Sequence, residues 1–270
     1  RSRRCSQGQA GTNQVTSEDV ADTDRRFSGL SRLYGDIGAQ QIRQSHVVVV
    51  GVGGVGSWAV ECLARSGVRA LTLIDLDHIS ESNINRQLPA LSTTLGMSKV
   101  IALQQRIALI HPECEVAAVE EFITPENCAA LLSVKADAVI DACDQMTAKQ
   151  AMSVWALASH TPFITVGAAG GKRLPHKVDV ADLADVTHDP LLSQLRQRLR
   201  KQHAGPAAGK PMGIAAVFSK ETVTPSQVCD AQTDSSLNCH GYGSVVTVTA
   251  TFGNCAAAWV LDVLSKKSAL

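Results

Sequence analysis

Gly51, Gly53 and Gly56 fall within Gly51-Val52-Gly53-Gly54-Val55-Gly56-Ser57, directly after the β-branched run His46–Val50. A strand that passes through a glycine turn into a helix is a phosphate-binding device. The glycines let the backbone approach the ligand, and the helix N-terminus supplies unpaired N–H groups and a favourable dipole. The spacing GxGxxG suits a dinucleotide oxidoreductase as well as an ATP enzyme. Asp75 ends the next apolar run, Ala70–Asp75, a place where a carboxylate hydrogen-bonds ribose hydroxyls. At this point NAD and ATP are both open. A P-loop is absent: Gly170-Gly171-Lys172-Arg173 lacks both the earlier glycine and the Ser/Thr that follow a Walker lysine.

The residues after Asp75 favour ATP. Asp77 is followed by Asn83, Asn85, Arg86, Gln87 and then Lys99. Hydride transfer needs an apolar slot for a nicotinamide, whereas a triphosphate needs cations to meet the charge that builds up as pyrophosphate leaves. Arg86 and Lys99 fit the second demand. In Ile140-Asp141-Ala142-Cys143-Asp144 a carboxylate follows a strand, at the carboxyl end where open α/β sheets bind ligands. Asp144 is therefore a candidate Mg²⁺ ligand beside the phosphates.

The elements that must position these groups alternate. Strands are predicted at His46–Val50, Ala70–Asp75, Glu115–Glu120, Ala136–Ala142 and Pro162–Gly167. Helices are predicted at Trp58–Ser66, 97–110, Pro125–Leu132 and 146–159, with Gly67 as a C-cap. That order implies an α/β, Rossmann-like, doubly wound and mostly parallel sheet with right-handed crossovers. Residues 170–243 mix short apolar runs with Gly, Pro and Ser and are expected to form an irregular, substrate-facing C-terminal subdomain, with one helix over Pro190–Lys201. The whole reads as one domain over 25–265, with 1–24 a disordered segment and 266–270 a tail.

Composition supports this reading. The apolar share is 45% and aromatics only 4%, so the core rests on Val, Ala, Leu and Ile. The eight cysteines form no CxxC pair, which points to a reduced, cytoplasmic protein rather than a disulfide scaffold. Val245–Leu264 has the length of a bilayer span but carries Thr247, Thr249, Thr251, Asn254 and Asp262. A buried helix is the better reading, with membrane association the minor one. The formal net charge is zero, so a nucleic-acid site must be a local patch, and no DNA partner is expected.

The motif series GxGGxGS, DxD, N-x-x-R-Q, Lys and D-x-x-D resembles the ubiquitin-activating-like (ThiF/MoeB-type) adenylating superfamily. The resemblance implies that Gly51, Gly53, Gly54, Gly56, Ser57, Asp75, Asp77, Asn83, Asn85 and Gln87 bind ATP. It also implies that Arg86 and Lys99 contact the phosphates and that Asp144 binds Mg²⁺. The likeness extends to one branch, the tRNA threonylcarbamoyladenosine dehydratases. It does so at Arg32-Leu33-Tyr34-Gly35, Gly167-Ala168-Ala169-Gly170-Gly171, Asp189-Pro190-Leu191, Val217-Phe218-Ser219 and Thr249-Ala250-Thr251-Phe252-Gly253. That branch implies an ATP-dependent dehydration of N6-threonylcarbamoyladenosine in the anticodon loop of tRNA through an acyl-adenylate, by a homodimer. The alternative is adenylation of a ubiquitin-like sulfur carrier, with a cysteine desulfurase or sulfur acceptor as partner.

Two departures bear on the choice. Sulfur-carrier relatives hold structural zinc with two CxxC pairs, which this chain lacks, so zinc is not expected. Their second N-terminal arginine is replaced here by Gly29, leaving Arg26 and Arg32 as the candidates to stand in for it. Arg196, Arg198, Arg200 and Lys201 form the local basic stretch a tRNA would need, although a solvated helix face reads the same. Cys239, beside His240, is the candidate thiol, with an incidental role equally open.

Overall fold

The computed structural model describes residues 22–133, 135–203, 205–224 and 242–267. Its centre is β1 (His46–Val50), four consecutive valines after one histidine, all four valines buried. Continuous β-branched residues suit a strand covered on both faces. The valines divide between those faces. Val47 and Val49 pack with one apolar cluster, Val48 and Val50 with the other.

Seven strands form one sheet in the order β3-β2-β1-β4-β5-β7-β6. The others are β2 (Ala70–Ile74), β3 (Glu115–Val119), β4 (Ala138–Asp141), β5 (Phe163–Val166), β6 (Val178–Asp182) and β7 (Ala215–Ser219). All pairings are parallel except that of β6 with β7. The chain builds outward from β1 to β3, then returns to start again at β4. The order thus reverses between β1 and β4, and a crevice opens there at the carboxyl ends of both strands.

Helices cover both faces, as short parallel crossovers require. They are α1 (Thr23–Gln44), α2 (Gly56–Arg65), α3 (Lys99–Ile110), α4 (Cys128–Leu132), α5 (Met146–Ser159), α6 (Pro190–Gln202) and α7 (Val246–Ser265). Residues of α1, α2, α3 and α7 pack in the first cluster, and those of α4, α5 and α6 in the second. Among the described residues α7 is the one helix long and apolar enough to cross a membrane. Its Val248, Phe252, Ala256, Val260 and Leu264 are fully buried in the first cluster, so it is a core helix here.

The expected strands and crossover helices occur, with ends that match or shift by at most three residues. Two features differ from the sequence expectation. Asp22 accepts a hydrogen bond from the Arg25 amide and caps α1, so this helix begins inside the segment 1–24. That helix had no clean apolar period to reveal it, because it breaks at Gly35, where φ is 73°. Within 170–243, β6 and β7 join the main sheet instead of forming a separate irregular unit. The half-buried, acid-bearing sequence of β6 hid it. Residues 225–241 lie outside the described part.

Gly253 lets α7 approach α2: a Cβ there would stand 2.4 Å from the Val55 carbonyl oxygen and 2.9 Å from the Ala59 nitrogen. Both atoms are backbone and cannot swing away. Replacing Gly253 with Val should cost about 1–3 kcal/mol of unfolding free energy through overpacking, measurable as a lower midpoint in urea.

Candidate active site

The glycine loop sits against the turn that leaves β4. Gly51 has φ of 78°, and a Cβ there would meet the Cys143 nitrogen at 2.8 Å and the Ala142 carbonyl at 2.9 Å. At Gly56 a Cβ would fall 1.9 Å from the Gly51 carbonyl oxygen. Only glycine fits either place. Ser57 is fully buried. Its hydroxyl donates to the Gly53 carbonyl at 2.6 Å and accepts from the Leu88 amide at 3.2 Å. It therefore shapes the loop from behind.

Asp75 ties the two central strand ends together. One carboxylate oxygen accepts from the Val52 amide at 2.8 Å and the other from the Asp77 amide at 2.9 Å. Burial pushes its carboxyl above the usual aspartate range, against the pull of Lys99 and of those two amides. Asp77 in turn accepts from the Lys99 ammonium at 2.7 Å. Lys99 is buried and borders the crevice, while Asp77 is half exposed. An exposed partner of this kind holds a lysine weakly and yields to a stronger anion.

Between these residues, Asn83 and Gln87 are buried. The Asn83 side-chain oxygen accepts from the Ser80 amide at 3.1 Å. The Gln87 side-chain oxygen is buried without a partner among the described residues, an unused acceptor beside the cavity. Arg86 donates from Nη1 to the Ser82 carbonyl at 2.8 Å and to the Asn85 side chain at 3.0 Å. Its own carbonyl accepts from the Trp58 indole.

Gly51, Gly53, Gly54, Asp75, Asp77, Asn83, Arg86, Gln87, Lys99 and Asp144 border one cavity of about 360 Å³ at the reversal between β1 and β4. Gly56 and Ser57 are not on its wall. Asn85 borders a second, polar cavity of about 450 Å³ that shares Asp77, Arg86 and Lys99 with the first. Its amide donates to the Ser244 carbonyl at 3.0 Å. A pocket with cations at one end and apolar walls at the other suits a nucleoside polyphosphate. Asp144 is exposed at its edge. Among the described residues no three His, Cys, Asp or Glu side chains cluster to hold a metal unaided. One carboxylate plus the phosphates of a bound nucleotide is a coordination that Mg²⁺ accepts.

Sequence reasoning missed the apolar wall. Phe122 and Ile123 follow β3, Ala148 lies on α5, and Leu191, Val223 and Tyr242 come from the later part of the chain. The signal was available for the first two, which follow the carboxyl end of β3 as Asp144 follows that of β4.

The opposite wall, Val166–Gly170, is fixed by buried charges. Asp189 caps α6 by accepting from the Leu192 amide at 3.0 Å and also accepts from Ala168 at 2.9 Å. Burial raises its carboxyl above the ordinary range. Lys172, almost fully buried, donates to the carbonyls of His188, Ser219 and Glu221 at 3.2–3.3 Å. Burial lowers its ammonium below the ordinary lysine value.

The basic stretch divides. Arg196 donates from Nη1 to the carbonyls of Leu183, Ala184 and Val186, closing the loop before α6. Arg198 and Arg200 are half-buried and Lys201 is exposed. Cys239 lies outside the described residues.

A doubly wound sheet with a glycine loop, cations and a carboxylate around one cavity defines a nucleotide-binding α/β protein. The chain belongs to the ThiF family, whose model matches residues 25–270. It is 42% identical over 251 residues to the tRNA threonylcarbamoyladenosine dehydratase of Haemophilus influenzae, covering 92% of this chain and 96% of that one. Among solved structures it is similar to the Escherichia coli tRNA N6-threonylcarbamoyladenosine dehydratase in complex with ATP. The TM-score is 0.81 at 38% identity, over 89% of this chain and 94% of that one. The same enzyme in complex with AMP gives a TM-score of 0.82 at 39% identity over the same shares.

Asp75→Ala would leave the amides of Val52 and Asp77 without their acceptor. A loss of about 2–4 kcal/mol in unfolding free energy is expected for two abandoned donors, read from urea denaturation without any ligand.

Proposed function

We propose that the protein uses ATP to dehydrate N6-threonylcarbamoyladenosine at position 37 of tRNA to its cyclic form. The observation that carries this is the meeting of Arg86, Lys99 and Asp144 around one cavity beside the glycine loop. The family membership and the two nucleotide-bound relatives support it.

The chemical problem is a carboxylate that must lose an oxygen, and oxide is a poor leaving group. In the reaction the threonyl carboxylate oxygen attacks the α-phosphorus of ATP and pyrophosphate departs. The neighbouring ureido group then attacks the acyl carbon, and AMP leaves with the former carboxylate oxygen. The water is thus removed as part of AMP. The second step is intramolecular and draws on proximity, so it requires no enzyme nucleophile.

Each residue has a part in this reading. Asp75 fixes the ribose end of the loop, and Gln87 lines the place of the nucleoside. Arg86 and Lys99 meet the negative charge that grows on the phosphates. Lys99 exchanges Asp77 for a phosphate oxygen as it does so. Asp144 would hold Mg²⁺, whose charge would stabilise departing pyrophosphate.

For the tRNA, Arg198, Arg200 and Lys201 give α6 a basic side, and the enzyme acts with its substrate in the cytoplasm. It works as a homodimer, as the adenylating superfamily it resembles does; a sulfur-acceptor partner is a secondary reading attached to Cys239.

Incubation with ATP, Mg²⁺ and tRNA carrying the modification should yield a nucleoside lighter by one water, read by mass spectrometry. Unchanged nucleoside, with ATP–pyrophosphate exchange that appears only on adding a Gly-Gly-tailed carrier protein, would overturn the reading in favour of carrier adenylation. Lys99→Ala should slow the exchange by about 10²–10³-fold with its fold intact. Arg198→Glu with Lys201→Glu should weaken tRNA binding and flatten its dependence on salt concentration, measured by filter binding at several ionic strengths.

A further inference from the structure

Lys149, in the first turns of α5, is fully buried and does not border the cavity. Its ammonium has three donors and three acceptors. These are Asp141 Oδ2 at 3.0 Å, Thr165 Oγ1 at 3.2 Å and the Val166 carbonyl at 2.7 Å. The Thr165 hydroxyl donates in turn to Asp141 Oδ2 at 2.6 Å. The other oxygen of Asp141 accepts from the Cys143 amide at 3.2 Å and from its thiol at 3.0 Å. Both Lys149 and Asp141 are completely shielded from solvent.

Such a pair is weak evidence for stability, since packed apolar side chains in its place often do as well. Its location is more informative. Asp141 opposite Thr165 is the last register pair between β4 and β5. Beyond it Val166 keeps only its β7 partner, Val217. At this point the backbone ladder between β4 and β5 has ended, and two turns diverge. One leads through Ala142 and Cys143 to Asp144. The other, Val166–Gly170, is the opposite wall of the cavity. The ammonium grips both: the first through Asp141, which holds the Cys143 amide, and the second through the Val166 carbonyl. The Ala142–Cys143 turn is also the surface on which Gly51 rests.

We infer that Lys149 is a positioning residue: it carries the β4–β5 spacing past the end of the ladder and so sets Asp144 against the Val166–Gly170 wall, where the proposed divalent cation would be held. The inference rests on Asp144 being the metal carboxylate of the proposed function. Groups that orient a metal ligand from behind typically govern affinity for the ion as well as rate.

The test uses Mn²⁺ as the metal and a non-hydrolysable ATP analogue on the full chain, with free Mn²⁺ read by electron paramagnetic resonance. Lys149→Met, with far-ultraviolet circular dichroism matching the parent, should bind Mn²⁺ about tenfold more weakly. Removing a lysine from a buried pair strands Asp141, and Lys149→Met that fails to fold passes the decision to Thr165→Val. That variant keeps the ion pair and loses only the bridging hydroxyl, with an expected weakening of about fivefold. In both variants the nucleotide analogue alone, titrated without metal, should bind as in the parent. Asp144→Asn serves as the reference. If it loses Mn²⁺ affinity while folded Lys149→Met or Thr165→Val keeps the parental value, Lys149 is only structural. If Asp144→Asn itself binds Mn²⁺ like the parent, the metal role of Asp144 falls, and the inference falls with it.

Discussion

The structure depends on a contact that leaves no room for a methyl group. Gly51 lies on the Ala142–Cys143 turn so closely that a Cβ would approach the Cys143 nitrogen to 2.8 Å. The glycine loop following β1 and the turn following β4 therefore share one boundary, at the point where strand order reverses. A reversal of this kind leaves a crevice between neighbouring strand ends. The close contact decides its shape, because the loop cannot drift away from the carboxylate side without losing packing on both faces.

Charge is distributed unequally around that crevice. Two of the groups bordering it are weakly committed: Lys99 faces a half-exposed aspartate, and Gln87 keeps an unused acceptor. Asp75 on its wall and the groups behind it are fully committed. Asp75 holds two amides, Asp189 holds two more, and the Lys149 ammonium has an acceptor for every proton. A site organised this way can exchange its front-facing partners for those of a ligand while its frame stays fixed. That is the meaning of preorganisation in electrostatic catalysis.

Much of this was legible in the sequence because the relevant signals are local. Four successive valines followed by a glycine turn leave few options for the backbone, and Asp75 and Asp144 are marked by their positions at strand ends. What stayed hidden depends on tertiary packing. In Met146–Ser159 a lysine between alanine and glutamine reads as a surface residue, and only the folded chain brings it to Asp141. Strand β6 carries two aspartates and alternates poorly, so its place at the sheet edge is decided by β7 rather than by its own pattern. Arg196 resembled its basic neighbours in sequence, but the loop it closes lies about ten residues earlier in the chain.

The burial of Lys172 has a consequence for how the protein responds to its medium. Its ammonium is held by three carbonyls away from dissolved salt, whereas Lys201 is exposed on α6 and open to screening. Two cationic features thus answer to different controls. Electrolyte loosens whatever docks on the helix surface while leaving the neighbouring cavity wall with the same geometry.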